Sequence, residues 1–241
     1  MDEHPYKGIW VYGDLRNERL FGLSLNVVAK ARELAQALSG KTTVVLLSGP
    51  SSGKPTSSPG LSAHQAAELA LAHGADFVYL LESEQLISPR ADIYGAALAQ
   101  AVGTKNPSLV LFALTEFSRE LAARTSRICN AGLISECVDL RAEGTKVLAT
   151  CPAWGGDVLA EITFADGSRV GFATLRAQAF QALEARGAPG SIERIPMNNI
   201  QASERLQLVS SSPERPESVK LEDAATVVVG GAGVGSAEGF E

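Results

Sequence analysis

IWVYGDLRNERLFGLSLNVVAKARELAQALSGKTTVVLL, residues 9–47, decides the fold class. Residues 9–12 are a short apolar run that Gly13-Asp14 ends, the pattern of a strand running into a turn. A polar loop over 13–23 follows. From 24 to 38, Val27, Val28, Ala31, Leu34, Ala35 and Leu38 recur at helical spacing and share one face of an amphipathic helix, with Gly40 placed as its C-terminal cap. Residues 42–47, TTVVLL, are continuously apolar, as strands of a parallel sheet covered on both faces are. Strand, helix, strand in this order predicts a βαβ crossover.

The unit recurs along the chain. Residues 62–73 read as an Ala-rich helix closed by Gly74, and 77–81 as a third strand. Residues 89–102 read as a helix with Pro89 suited to its first turn, and 109–113 as a fourth strand. A helix over 118–131 then places Leu121, Ala122, Thr125, Ile128 and Cys129 on one face. Repeated alternation predicts an α/β fold with a doubly wound, mostly parallel sheet, Rossmann-like and three-layered. After Gly132 the rhythm shortens. Strands are expected at 133–140, 146–150, 158–164 and 170–174, separated by Glu143-Gly144, Gly155-Gly156-Asp157 and Asp166-Gly167, and spacing this short predicts a small antiparallel addition. Residues 185–220, with Pro189, Pro196, Pro213 and Pro216, read mainly as a connection, with short strands at 192–195 and 205–209. A β-branched run at 226–229 then leads to Gly230, Gly231, Gly233 and Gly235, and 236–238 reads as the opening of a helix, the start of a second α/β domain.

Composition narrows the function classes. Of 241 residues, 45% are hydrophobic and 20% charged, which suits a soluble globular protein with a sizeable core. A net charge of -6 argues against nucleic acid, whose phosphates call for a basic face. No apolar run reaches the roughly 20 residues of a membrane helix, and the polar start MDEHPYKG resembles neither a secretory nor a transit signal. Cys129, Cys137 and Cys151 contain no C-x-x-C spacing and read as buried, inert, reduced thiols, so a cytoplasmic location is expected.

The sequence carries no recognisable catalytic residue and no metal-site motif. His4, His64 and His73 stand at no recognisable motif spacing from a carboxylate or cysteine. Residues 48–60, SGPSSGKPTSSPG, imitate a phosphate loop with Gly49, Gly53 and Lys54, but the spacing is one residue short and Pro55 follows the lysine. Gly231-x-Gly233 meets Ser236 where a dinucleotide fingerprint needs its third glycine. Two features point outward instead. Arg119, Arg124 and Arg127 lie outside the apolar face of their helix, either as a solvated basic face or as contacts for another chain, and the sequence leaves both open. In CPAWGGD, residues 151–157, Pro, Trp and Gly-Gly demand a tight turn that displays Trp154, and an anchor for a neighbour is favoured over a lid on the chain's own core.

Six stretches, in order, resemble one family, the α subunit of electron transfer flavoprotein. IWVYGDLRNERLFGLSLNVVAKARELA is similar to its opening strand, loop and helix, and AHGADFVYLLES to its third-strand region. PSLVLFALTEFSRELAARTSRICNAGLISECVDL resembles the strand ending in Ala-Thr and the Gly-Arg-Asp-Leu-Ala-Pro-Arg helix, with Ala123 at the proline. CPAWGGDVLAEI is similar to the Arg-Pro-Ala-(Phe/Tyr)-Gly-Gly-Asn turn, with Cys151 at the arginine, and FATLRAQAF to Ala-Thr-Val-Arg-Pro-Gly-Val-Phe. VVVGGAGVGSAEGFE resembles the strand, Gly-Gly-Arg-Gly loop and helix start that open the family's FAD-binding domain.

The resemblance implies an electron carrier and not an enzyme. It implies a heterodimer of this chain with a β subunit, one FAD in the C-terminal domain of the α subunit, electrons arriving from flavin dehydrogenases and leaving to a redox acceptor. In this reading 1–185 is the N-terminal α/β domain and heterodimer platform, 186–220 the inter-domain connection, and 221–241 the incomplete beginning of the FAD-binding domain. Gly231, Ala232 and Gly233 match the FAD loop, Ala232 at its arginine, and Arg119, Arg124 and Trp154 are the expected interface residues. The competing reading is an adenine-nucleotide-binding module of the same architecture, using the loops 13–23 and 48–60 at the strand ends.

Overall fold

The computed structural model of the chain describes residues 8–50, 61–186, 190–201, 206–210 and 226–240. His4 and the middle of the phosphate-loop imitation, 51–60, lie outside the described residues. Two compact units are formed, one ending at Ser203 and one starting at Glu204.

The first unit opens with β1 (Ile9–Gly13), α1 (Glu18–Ala37), β2 (Thr42–Ser48), α2 (Ala63–Ala72), β3 (Phe77–Glu82), α3 (Ala91–Lys105), β4 (Leu109–Ala113) and α4 (Glu116–Ile128). β5 (Gly132–Cys137), β6 (Asp139–Glu143), β7 (Lys146–Ala153), β8 (Val158–Thr163), β9 (Gly171–Leu175) and β10 (Ser191–Pro196) follow. Seven strands form one sheet in the order β10-β3-β2-β1-β4-β9-β5, every pairing parallel. β6, β7 and β8 form a separate antiparallel sheet.

Alternation along the strands sorts the core into two layers, because successive side chains of a strand point to opposite faces. Ile9, Val11, Val44, Leu46 and Val78 pack with α1 and α2 and, further along, with Leu140, Val147 and Ala149 of the small sheet. Trp10, Tyr12, Val45 and Leu47 pack on the other face with Ile93, Leu98, Leu121 and Ala122 of α3 and α4. The result is the expected three-layer, doubly wound fold with an antiparallel addition.

Several boundaries differ from the sequence reading. α1 starts at Glu18 and not at 24: Asn17 caps it by accepting the Leu20 N–H at 2.8 Å, and Phe21 extends the buried face a turn earlier. Pro89 stands outside its helix, since Arg90 is the N-cap. The single strand expected at 133–140 breaks at Val138 into β5 and β6, which belong to different sheets, after a register shift and a left-handed φ of 60° at Glu136. β9 does not join the antiparallel addition. It inserts between β4 and β5, where the crossover through α4 has left a gap one strand wide, and its five residues are buried on both faces. The strand expected at 192–195 is β10, paired to β3 at the sheet edge, and Met197 and Ile200 after it are buried in the α3 layer.

In the second unit, 206–210 and 226–229 form no strand. The glycine stretch folds into a 3₁₀ turn, Ala232–Val234, and a second such turn at Glu238–Phe240 stands where a helix was expected to open. No helix among the described residues is long and apolar enough to cross a membrane.

Candidate functional site

Doubly wound sheets bind ligands at the carboxyl ends of the strands, where strand order reverses. Here that point lies between β1 and β4. The turn after β1 carries Asp14, almost fully buried, and Arg16 folds back onto it. Arg16 donates from Nε to Asp14 Oδ1 at 2.9 Å and from Nη2 to Oδ2 at 2.7 Å, a bidentate pair. The guanidinium stacks 4.2 Å from the centre of the Phe117 ring and reaches Thr115 Oγ1 at 3.5 Å, bridging the loops after β1 and β4. Burial works against the Arg16 charge, but the Asp14 hydrogen bonds outweigh it and raise its pKa. Burial, reinforced by Asp14, pushes the Tyr12 and Tyr94 hydroxyls above the usual tyrosine range. Tyr94 stays neutral and donates to the Leu86 carbonyl at 3.0 Å. The cavity left beside Tyr12, Arg16 and Tyr94 measures about 80 Å³. Small-molecule pockets run from roughly 300 Å³ upward, so among the described residues the switch point is filled by the protein's own ion pair.

Further along the same edge, Glu136 at the end of β5 accepts from Arg119 Nη2 at 3.0 Å and from Arg176 Nη2 at 2.8 Å. The Arg176 hydrogen bond, with the charge of Arg119, holds the Glu136 carboxyl below its ordinary range. The backbone N–H of Glu136 donates to Thr174 Oγ1 at 3.0 Å, which ties down its left-handed conformation. Arg124, one turn along α4, pairs with Glu120 at 2.7 Å. Both expected interface arginines therefore already hold an acid within the chain.

The turn between β7 and β8 runs through three consecutive left-handed residues, Trp154, Gly155 and Gly156, at φ of 53°, 72° and 103°. The glycines adopt this without cost, and Trp154 is carried outward, 85% exposed. Beside it runs β8, the edge of the small sheet, with Val158 and Ile162 exposed on one face and Leu159 on the other. Trp154 was legible in the sequence. Its apolar neighbours carry a weaker signal, a strand apolar on both faces with no second layer to cover it.

Gly231, Ala232 and Gly233 lie on an exposed turn closed by the Val234 N–H donating to the Gly231 carbonyl at 3.0 Å. A Cβ at Gly231 or Gly233 would meet nothing within 4 Å. The open hollow over the turn is lined by residues of 230–237 alone, so these described residues form no cradle for a flavin. Among the described residues there is no cluster of His, Cys, Asp and Glu able to hold a metal ion.

The comparisons with known proteins agree with this architecture. Residues 9–199 match the profile of the Electron transfer flavoprotein domain. "Protein FixB" of Clostridium saccharobutylicum is 29% identical over 243 residues, covering 100% of this chain and 69% of that protein. "Electron transfer flavoprotein subunit alpha" of Clostridium acetobutylicum is 29% identical over 246 residues, with the same two coverages. "Lactate dehydrogenase (NAD(+),ferredoxin) subunit LctC" of Acetobacterium woodii is 25% identical over 236 residues, 97% of this chain and 53% of that protein. A family profile spanning the whole parallel sheet, and relatives named as α subunits that align along the full chain, place this protein in the electron transfer flavoprotein family.

Proposed function

We propose that this chain is the α subunit of an electron transfer flavoprotein, carrying electrons from flavin dehydrogenases to a redox acceptor in the cytoplasm as a heterodimer with a β subunit. Its role is carriage and not catalysis. The α/β unit, expected at 1–185 and carried on to β10 at the edge of its sheet, pairs with the partner chain to form the heterodimer platform. The chain beyond it leads to 221–241, the opening of an FAD-binding domain. FAD is the flavin of this reading, and Gly231, Ala232 and Gly233 are assigned to it on sequence resemblance alone.

The observation that supports the platform is the apolar edge of the small sheet. A soluble chain rarely leaves Trp, Val, Leu and Ile together on an exposed edge strand unless a partner covers them. Trp154 is the anchor, Val158, Leu159 and Ile162 are exposed on the strand that follows it, and Arg119 and Arg124 contribute charge from α4.

Co-expression with the β-subunit-like chain of the same source, followed by size exclusion, tests the assignment. Trp154→Ala and Leu159→Asp should each weaken the complex about thirtyfold or more, the effect of losing a buried hot spot. Arg124→Ala should weaken it less, since its partner Glu120 sits on the same helix. Assembly unchanged in the Trp154→Ala/Leu159→Asp double variant would overturn the interface. The nucleotide-module reading meets Arg16 and an 80 Å³ cavity at the switch point. Calorimetry with AMP and ATP should accordingly show no binding by the α/β domain.

A further inference from the structure

Two of the three cysteines, far apart by every sequence pattern, meet in the core. Cys137 ends β5 of the main sheet and Cys151 lies within β7 of the small one, and their sulfurs stand 3.6 Å apart. Backbone hydrogen bonds join the strands around them. The Val138 N–H donates to the Thr150 carbonyl at 2.8 Å, joining the residues next to the two cysteines, and the Arg176 N–H donates to the Cys137 carbonyl at 2.9 Å. Closing a disulfide requires the sulfurs to approach to about 2.05 Å, a side-chain movement that leaves these backbone bonds in place. Cys129, at the end of α4, stands apart with Arg169 near it and serves as an internal control.

We propose that Cys137 and Cys151 form a dithiol–disulfide site, oxidised by a small hydroperoxide, that staples the small antiparallel sheet to the main sheet. The assignment is independent of any partner or flavin. Cys151 is the attacking thiol and Cys137 the resolving one. Cys137 is fully enclosed, whereas Cys151 keeps 4% of its surface open. Burial raises both thiols above the usual cysteine range, so the two roles rest on this difference in exposure. The Cys151 thiolate attacks the outer oxygen of the hydroperoxide, the O–O bond breaks, and alkoxide or hydroxide leaves and takes up a proton. The sulfur of Cys137 then attacks the sulfenic sulfur of Cys151, the S–S bond forms, the S–O bond breaks and water departs with the Cys137 proton. Two electrons pass from the sulfurs to the peroxide, and two thiols plus one hydroperoxide give one disulfide, one alcohol or water, and one water.

The test uses the full chain, folded and fully reduced, treated with hydrogen peroxide, quenched, alkylated in denaturant and mapped by mass spectrometry without reduction. The expected product is a linked Cys137–Cys151 peptide lighter by two hydrogens, with Cys129 alkylated as before and both thiols recovered after dithiothreitol. Cys129→Ser should give the same link, and Cys151→Ser should abolish it. The wild-type measurement decides the matter even if the Cys151 variant folds poorly. Retention of all thiols, links through Cys129, or oxidation of Cys137 and Cys151 to sulfinic or sulfonic acids with no link would each overturn the proposal.

Discussion

Asp14 is a buried carboxylate whose neutralisation depends on Arg16, two positions along the chain. The pair does two things at once: it satisfies a charge that desolvation would otherwise penalise heavily, and it plugs the crevice in which a doubly wound sheet would take a ligand. The two halves are not equivalent. Arg16 is partly exposed and can be solvated if its partner is lost, whereas Asp14 is not and cannot be. Removing the cation by Arg16→Met should therefore destabilise the fold by about 3 kcal/mol, the penalty of an uncompensated buried charge. Asp14→Asn, which keeps a polar side chain at the same volume, should cost less. The double variant should fall short of the sum, because the carboxylate that made the first change costly is gone. Urea unfolding of the three variants measures all of this, and additivity within about 0.5 kcal/mol would show that the two residues are not coupled.

At the level of elements, α4 shows how local chemistry fixes a site. Thr115 at its N-cap accepts the Ser118 N–H at 3.1 Å, and Ser118 Oγ reaches back to the Thr115 N–H at 2.8 Å, a reciprocal cap. The cap sets where α4 leaves β4 and so where Phe117 meets Arg16 and Arg119 meets Glu136. Thr115→Ala should lower stability by about 1 kcal/mol, read as a fall in the urea midpoint with an unchanged slope. The alternation of strands and helices through α4 was legible from the sequence because each βαβ unit is written in local periodicity, as in Val27, Ala31, Leu34 and Leu38. What was not legible was non-local. β9 looks like the last of four short strands, and only the gap beside β4 reveals that it completes the parallel sheet. The early start of α1 was hidden because Arg19 and Gly22 interrupt the apolar pattern, although Asn17 was there as a cap. At the site, Trp154 could be read from its turn, since Pro and Gly-Gly announce one. The pairing of Arg119 with Glu136, and of Cys137 with Cys151, depends on strand placement that no spacing encodes.

Taken whole, the α/β unit keeps its two tryptophans in opposite environments, and this makes the proposed platform measurable. Trp10 is 3% exposed in the middle of the parallel sheet, edge-on to Tyr79 with ring centres 5.5 Å apart. Trp154 is 85% exposed at the rim of the small sheet. The free chain should thus emit from two populations, one blue-shifted and shielded from acrylamide, the other red-shifted and readily quenched. Trp154→Phe should remove the quenchable part and leave the blue one, which identifies the two without a structural probe. An anchor in a heterodimer must lose solvent on assembly, because hot-spot side chains act in desolvated pockets. Adding the β subunit to the wild-type chain should accordingly shift the Trp154 emission to the blue and suppress its quenching, with the Trp10 component unchanged; the Trp154→Phe chain, read against the partner's own fluorescence, supplies the control. If a complex forms while Trp154 stays fully quenchable, the partner sits elsewhere on the unit, and the apolar edge formed by Val158, Leu159 and Ile162 must be assigned to a different neighbour.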